Sequence, residues 1–150
     1  KYPYLSSVKD FDKKNPKFRW QKKFSSEKLV NLFPKIGGIK KIEILNITKT
    51  GRVKNVRIDG AYGSAQISGV DLRTKLGLNS TFVRFKLIEE QSTKLPITKG
   101  LIVFGQGSGH GVGMSQWGAK YMASRGQKAE RILKHFYRGV QIKPFRRDYL

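Results

Sequence analysis

The sequence predicts an α+β fold: a mainly antiparallel or mixed β-sheet, a few short helices, and a C-terminal helical pair after a glycine-rich loop. Several runs alternate apolar and polar residues with the period of a strand, as in FVRFKLI at 82–88. Helical periodicity is confined to short stretches and to the last third of the chain. Because strands and helices do not alternate regularly, a doubly wound parallel sheet is disfavoured.

The first elements follow from local signals. Residues 1–4 are expected to be extended or strand-like, because Pro3 restricts its neighbours. Residues 18–24 alternate as a strand. Ser25 then caps a short helix with an acidic residue in its first turn, and Pro34 ends that helix.

Two β-rich runs, 40–49 and 52–58, surround Thr50–Gly51 and predict a hairpin. The inward-facing candidates of this hairpin are Ile42, Ile44, Val53, Val56 and Ile58. A glycine-punctuated strand follows at 60–67. Ser68 and Asp71 have the spacing of a capping box, which opens a short helix that Gly77 ends.

The last third contains the apolar run 100–104, which predicts a buried strand. Two helices are expected beyond the glycine-rich stretch, at 115–125 and 128–137, separated at Gly126. Residues 140–142 are a candidate for a final strand.

The composition excludes several classes of function. With 150 residues, the chain is one domain or a large piece of one. The absence of cysteine excludes disulfides, thiolate zinc sites, iron–sulfur clusters and a cysteine nucleophile. Only His110 and His135 can supply imidazole, which limits any imidazole-based metal site to two such ligands plus carboxylates. We assign no metal and expect no cofactor. The net charge of +21 predicts attraction to polyanions such as nucleic acid, anionic lipid or an anionic wall polymer.

The beginning of the chain resembles a cut inside a longer protein. It starts at Lys1, with no initiator methionine and no apolar signal segment. We therefore expect targeting information to lie upstream.

The most informative segment is the glycine-rich loop, residues 105–113, which lies between a predicted strand and a predicted helix. Such a loop can aim several N–H groups at one point. Nucleotide binding is disfavoured, because the G-x-x-x-x-G-K-[ST] pattern is absent and the glycines of the loop miss the G-x-G-x-x-G spacing by one residue. The G-x-S-x-G nucleophile elbow is absent as well.

Polar residues in and after this loop have two interpretations each. His110, with glycine on both sides, can reach a ligand or can fix the loop through a backbone carbonyl. Ser115 is expected to cap the following helix, and Gln116 offers both a donor and an acceptor to a sugar. Trp117 and His135 are more consistent with core positions.

The stretch GHGVGMSQWGAKYMASRGQKAERILKHFYRGVQI, from Gly109 to Ile142, resembles the C-terminal signature of the SpoIID/LytB (amidase-enhancer) family. The segments PYLSSV at 3–8, FRW at 18–20, SGVDLR at 68–73 and LGLNST at 76–81 support the resemblance. It implies that residues 1–150 form the later, C-terminal part of a single domain of this type.

The resemblance implies a role on peptidoglycan glycan strands. Some members are lytic transglycosylases, in which a glutamic acid protonates the glycosidic oxygen and then deprotonates the sugar's own 6-hydroxyl, closing a 1,6-anhydro ring. The family's glutamate belongs to a segment upstream of this chain. No carboxylate lies in the glycine-rich loop, so we expect no catalytic residue here and no activity from these 150 residues alone.

By resemblance, the substrate-binding positions are Tyr4, Gly109, His110, Gly111, Ser115 and Gln116. The implied partners are glycan strands, together with a wall amidase or the N-terminal part of the same protein. The implied location is the cell envelope, outside the cytoplasm. A non-catalytic wall-binding or amidase-enhancing module is the alternative. A nucleic-acid-binding module ranks third, because the cations are spread along the chain without a recognition motif.

Overall fold

A computed structural model describes residues 2–11, 13–90 and 97–144. The chain divides into two compact units. Residues 16–110 form the first, here called the sheet unit, and residues 1–15 with 111–150 form the second, here called the helical unit. The predicted α+β class is confirmed.

The sheet unit contains two antiparallel three-stranded sheets, with strand orders β1-β6-β5 and β2-β3-β4. Its strands are β1 (Arg19–Ser25), β2 (Lys41–Ile47), β3 (Val53–Asp59), β4 (Ser64–Ser68), β5 (Val83–Glu90) and β6 (Ile97–Gln106). Its α-helices are α1 (Ser26–Leu32) and α2 (Gly69–Leu76), with a 3-10 turn at Pro34–Ile36.

Strand β6 is the central strand of its sheet. Its residues pair with both neighbours, so that Gly105 lies opposite Trp20 of β1 and Val83 of β5. Leu101 and Val103 have no exposed surface, whereas Phe104, on the opposite face of the strand, is 36% exposed. The predicted strand is therefore longer than 100–104, and it is buried on one face only.

The predicted hairpin is confirmed by the antiparallel pairing of β2 with β3. Val53, Val56 and Ile58 are buried as expected, but the prediction for Ile44 is wrong, because its side chain is 36% exposed. Ile44 lies directly opposite the buried Val56 and shares its face, and the register shifts only beyond Ile44. Strand β2 is an edge strand, so no further strand covers the outer flank of Ile44.

The predicted start of α1 and both predicted ends of α2 are confirmed. The Ser25 hydroxyl accepts a hydrogen bond from the Lys28 N–H and begins α1. Ser68 begins α2, accepting from the Asp71 N–H at 3.0 Å and donating to its carboxylate at 2.6 Å. Gly77 ends α2 in the left-handed conformation, with φ of 58°.

The helical unit contains α3 (Gln116–Ser124) and α4 (Ala129–Phe136), each within one or two residues of its predicted bounds. The two helices and the N-terminal segment enclose a small second core. Its buried residues are Met122, Ile132 and Phe136, packed against Val8, Phe11, Ala119 and Tyr137.

Two expectations for the helical unit are wrong. Residues 3–4 form a turn, closed by the Leu5 N–H donating to the Tyr2 carbonyl at 3.0 Å, and are not extended. Residues 140–142 form no strand. Both segments have strand-like composition, but the described part of this unit contains no strand with which either could pair.

No helix in the described ranges is long and apolar enough to cross a bilayer.

Truncation of Leu101 tests the central position of β6. We expect Leu101→Ala to lower the free energy of unfolding by about 2–5 kcal/mol, because it opens a cavity under the middle strand. Phe104→Ala, on the exposed face of the same strand, should cost clearly less. Chemical denaturation of both variants checks this, and equal losses would contradict the assigned faces.

Candidate functional site

The glycine-rich loop leaves the sheet unit under the side chain of Trp20. The indole Nε1 of Trp20 donates to the Gly107 carbonyl at 2.8 Å, and the Gly107 N–H donates to the Phe18 carbonyl at 3.1 Å. The Trp20 ring also occupies the space that a Cβ at position 105 would need. Glycine at 105 is thus required by the close approach of the ring.

A buried serine holds the same part of the loop from the other side. Ser80 has no exposed surface, and its hydroxyl donates to the Gln106 carbonyl at 2.6 Å and accepts from the Phe82 N–H at 3.2 Å. The Gly109 N–H donates to the Asn79 carbonyl at 2.9 Å. The loop is therefore anchored as far as Gly109.

Sequence reasoning did not single out Trp20 or Ser80 as residues that build the site. Both lie in segments that support the family resemblance, FRW at 18–20 and LGLNST at 76–81. Their position in these family segments was the one indication of a role in the site. The sequence alone does not reveal that both residues contact the same loop.

Gly109 is required for its backbone conformation. Its φ is 89°, which L side chains rarely adopt, although open space surrounds the position of a Cβ. Gly107, Gly111 and Gly113 also have positive φ. The loop is therefore built from glycines at every second position.

His110 is the last residue of the sheet unit, and its side chain is exposed. Exposure leaves the imidazole accessible to a ligand. Its role as a ligand-binding or loop-fixing residue stays a prediction.

The second half of the loop leads into α3. Ser115 caps this helix, as its hydroxyl accepts from the Gly118 N–H at 3.1 Å. Gln116, the first residue of α3, is exposed and can present its amide to a ligand. Trp117 is half-buried, with the Lys120 ammonium 5.0 Å from its ring centroid.

Tyr137 connects this part of the loop to Tyr4. Its hydroxyl accepts from the Met114 N–H at 3.2 Å and lies against Gly113. The rings of Tyr4 and Tyr137 have centroids 6.5 Å apart, and the Tyr4 carbonyl accepts from the Arg138 N–H at 3.2 Å. Tyr4 and the residues preceding Ser115 therefore meet at one end of the helical unit, through a tyrosine that was not predicted as a site residue.

Tyr2 extends this group, with its ring centroid 5.7 Å from that of Tyr4. We call Tyr2, Tyr4 and Tyr137 the tyrosine cluster. Tyr2 is 67% exposed and Tyr4 is 37% exposed, so aromatic surface is available to a ligand. Aromatic faces pack well against the apolar faces of sugar rings, while phenolic hydroxyls bind their polar edges.

The predicted residues thus fall in two groups. Gly109 and His110 end the sheet unit, whereas Tyr4, Gly111, Ser115 and Gln116 belong to the helical unit. The backbone passes directly from one group to the other at the His110–Gly111 peptide bond.

His135, predicted to be a satisfied core histidine, is half-buried in α4, and its Nε2 is 2.8 Å from the Lys9 carbonyl oxygen. Among the described residues, no three histidine or acidic side chains are grouped closely enough to hold a metal ion.

Two acidic residues of the helical unit have structural roles. Asp10 accepts from the Phe11 N–H at 2.7 Å and fills the space beside Gly118, in the first turn of α3. On α4, the hydrogen bond from Lys134 lowers the pKa of the Glu130 carboxyl. Glu130 is therefore ionised at neutral pH, which is unfavourable for a general acid.

A protein family described as "Domain of unknown function (DUF8618)" matches residues 3–113 of this chain. This match includes Tyr4 and the whole glycine-rich loop. The chain belongs to this family.

Two stage II sporulation protein D sequences are similar to the chain over 93% of its length. That of Bacillus subtilis (strain 168) is 37% identical over 143 residues, and that of Bacillus amyloliquefaciens is 38% identical over 143 residues. The amidase enhancer of Bacillus subtilis (strain 168) is 32% identical over 88 residues, which cover 55% of this chain and 12% of that protein.

These relatives confirm the resemblance to the SpoIID/LytB family and support a cell-wall-related role for that family. The chain spans 38% of the length of each stage II sporulation protein D that it matches.

Replacement of Gly118 tests the packing of the N-terminal segment on α3. Alanine normally stabilises a helix interior by about 1 kcal/mol relative to glycine. Here the added methyl group would meet Asp10 and would approach the Phe136 ring at 2.9 Å. We therefore expect Gly118→Ala to destabilise the protein by about 1–3 kcal/mol, as overpacking does.

Thermal and chemical denaturation measure this effect. The double variant Asp10→Ala/Gly118→Ala is the control and should recover part of the loss, because the carboxylate no longer opposes the methyl group. A stabilising Gly118→Ala substitution would contradict the packing described.

Proposed function

We propose that this chain binds peptidoglycan glycan strands through the glycine-rich loop, the following helix start and the tyrosine cluster. The supporting observation is the near-continuous family signature from Gly109 to Ile142, which coincides with exposed His110 and Gln116 side chains. A glycan strand offers hydroxyl and acetamido groups to these polar side chains and apolar ring faces to the tyrosines.

The glycine-rich loop and the start of α3 carry no charged side chain, although the whole chain is strongly basic. No Lys, Arg, Asp or Glu occurs between Gly105 and Ala119. A neutral, hydrogen-bonding surface suits the hydroxyl and acetamido groups of the sugar rings. We propose a location in the cell envelope, where such strands occur.

In the longer protein, we propose that this surface positions a glycan for lytic transglycosylase cleavage. A glutamic acid outside these 150 residues would protonate the glycosidic oxygen and then accept the proton of the sugar's 6-hydroxyl. That hydroxyl attacks the anomeric carbon, the glycosidic bond breaks, and a 1,6-anhydro end forms without water. The residues described here would bind and orient the strand.

The second candidate is a non-catalytic module that stimulates a wall amidase. The similarity to a protein named amidase enhancer favours this candidate, since it covers 55% of this chain. Both candidates require glycan binding, so they differ only in whether the longer protein breaks glycosidic bonds. Nucleic-acid binding ranks third, since only the net charge supports it.

Substitutions in the loop test the proposed binding. We expect His110→Ala and Gln116→Ala each to weaken binding to peptide-free glycan strands by about tenfold, the equivalent of one lost hydrogen bond to ligand. Gln66→Ala is the matched control, because Gln66 is an exposed amide on β4. Calorimetry or co-sedimentation measures affinity, and thermal denaturation verifies folding.

Two outcomes would count against the loop assignment. Unchanged affinity in both loop variants would remove these residues from the site. Unfolding of His110→Ala would assign the imidazole to loop structure instead.

Product analysis of the longer protein separates the two candidates. We expect it to release 1,6-anhydro-ended fragments from peptide-free strands, and to lose this activity when the proposed upstream glutamate is replaced by glutamine. Intact strands after incubation with the longer protein, together with faster cleavage by an added amidase, would establish the enhancer function instead.

A further inference from the structure

The connection between α3 and α4 forms an open basic groove at the surface of the helical unit. We call it the basic groove; its lining residues include Arg125, Gln127, Lys128, Glu130, Arg131 and Lys134. It is an open surface depression with a volume of about 640 Å³. None of the residues assigned to the glycan site lines it.

The cations of this groove are largely unneutralised. Lys134 pairs with Glu130 at 2.6 Å. No salt bridge within the described part of the chain involves Arg125, Lys128 or Arg131. Three cationic side chains therefore line one depression, and such a depression attracts a polyanion.

The side-chain oxygen of Gln127 is an acceptor that lacks a hydrogen-bond donor in the described ranges. Gln127 lines both the basic groove and an adjoining depression formed with Phe11 and Met122. Its side-chain oxygen is buried and accepts no hydrogen bond from the described residues. A buried acceptor without a donor costs free energy, so the Gln127 amide gains a hydrogen bond when it turns toward the groove and meets a ligand hydroxyl.

The other polyanions fit this surface less well. The exposed large apolar side chains of the described residues lie outside residues 115–141, so no apolar side chain of the groove can insert into a lipid surface. Single-stranded nucleic acid binds through exposed aromatic platforms as well as cations. The aromatic residue nearest the groove, Phe11, is half-buried and stacks on Tyr121, with ring centroids 5.3 Å apart.

We propose that the basic groove binds a hydroxyl-bearing phosphodiester polymer, the chemistry of an anionic wall polymer. Arg125, Lys128 and Arg131 pair with successive phosphates, and the Gln127 oxygen accepts a hydrogen bond from a polyol hydroxyl. This site is separate from the proposed glycan site, and its existence does not depend on that function.

The test compares two triple variants with the same net charge. The groove variant is Arg125→Gln/Lys128→Gln/Arg131→Gln, and the control is Lys54→Gln/Arg84→Gln/Lys86→Gln, whose residues are exposed on β3 and β5. The probe is poly(glycerol phosphate), titrated over a range of salt concentrations. We expect the groove variant to bind at least tenfold more weakly. The slope of log affinity against log salt concentration should become shallower by about 2, because each lost phosphate contact contributes about 0.7. The control should change less than threefold.

Purified cell walls, before and after hydrofluoric acid removes their phosphodiester polymers, give a second measurement. The wild-type protein should bind untreated walls more strongly than treated walls, and the groove variant should lose this difference. Gln127→Met should weaken binding to poly(glycerol phosphate) but not to inorganic polyphosphate, which has no polyol hydroxyls.

Several results would overturn the proposal. Equal losses in both triple variants would show that total charge, and not the groove, determines binding. Stronger binding of the groove to single-stranded DNA or to anionic phospholipid vesicles than to poly(glycerol phosphate) would assign it to another ligand. An equal effect of Gln127→Met on both polymers would remove the hydroxyl contact. Circular dichroism and thermal denaturation establish that each variant is folded.

Discussion

The close packing of Trp20 on the end of β6 is the contact on which the glycine-rich loop depends. The indole ring excludes any side chain at position 105, and its N–H holds the carbonyl of Gly107. Ser80 binds the same turn from the other side through the carbonyl of Gln106. Since β6 is the central strand of its sheet, the loop begins from a well-supported part of the fold. A loop with so much glycine would otherwise lose a large conformational entropy on binding a ligand.

The two ends of the loop are held by different means. In the sheet unit, backbone carbonyls receive hydrogen bonds from side chains, and Gly109 is fixed by the carbonyl of Asn79. In the helical unit, the hydroxyl of Tyr137 holds the backbone at Met114, and the hydroxyl of Ser115 caps α3. In each unit, tertiary contacts leave a polar side chain exposed, His110 in one and Gln116 in the other. The loop therefore combines an ordered backbone with accessible polar groups.

Charge and recognition are separated in this chain. The neutral stretch from Gly105 to Ala119 contains the proposed glycan-binding residues, whereas unneutralised cations line the groove between α3 and α4. A neutral loop can discriminate by hydrogen bonding and shape, because long-range attraction does not dominate it. A basic groove attracts polyanions in general, and we propose that the amide of Gln127 adds selectivity for one that bears hydroxyls. The net charge of +21 is thus compatible with a glycan-binding function and does not by itself indicate nucleic acid.

The sequence by itself determined the local structure. Capping by Ser25, Ser68 and Ser115 and the hairpin at Thr50–Gly51 were predicted correctly, because each depends on neighbouring residues only. The α+β class and the family followed from periodicity and from the signature after Gly109. Tertiary structure decided the rest. Residues 1–4 were expected to be extended or strand-like and residues 140–142 were a candidate strand, but a strand needs a partner and the described helical unit contains none.

Dependence on tertiary contacts also explains why the sequence did not predict three residues that hold the loop. Trp20, Ser80 and Tyr137 hold the loop although they are distant from it in sequence, and no local pattern reports a contact over that separation. Ile44 was predicted to be buried by its alternation, but it lies on an edge strand, where no further strand covers its outer flank. The identity of the polar residues could be read from the sequence. Their support arises only when each unit folds, and the cations gather around Gln127 only when α3 and α4 pack together.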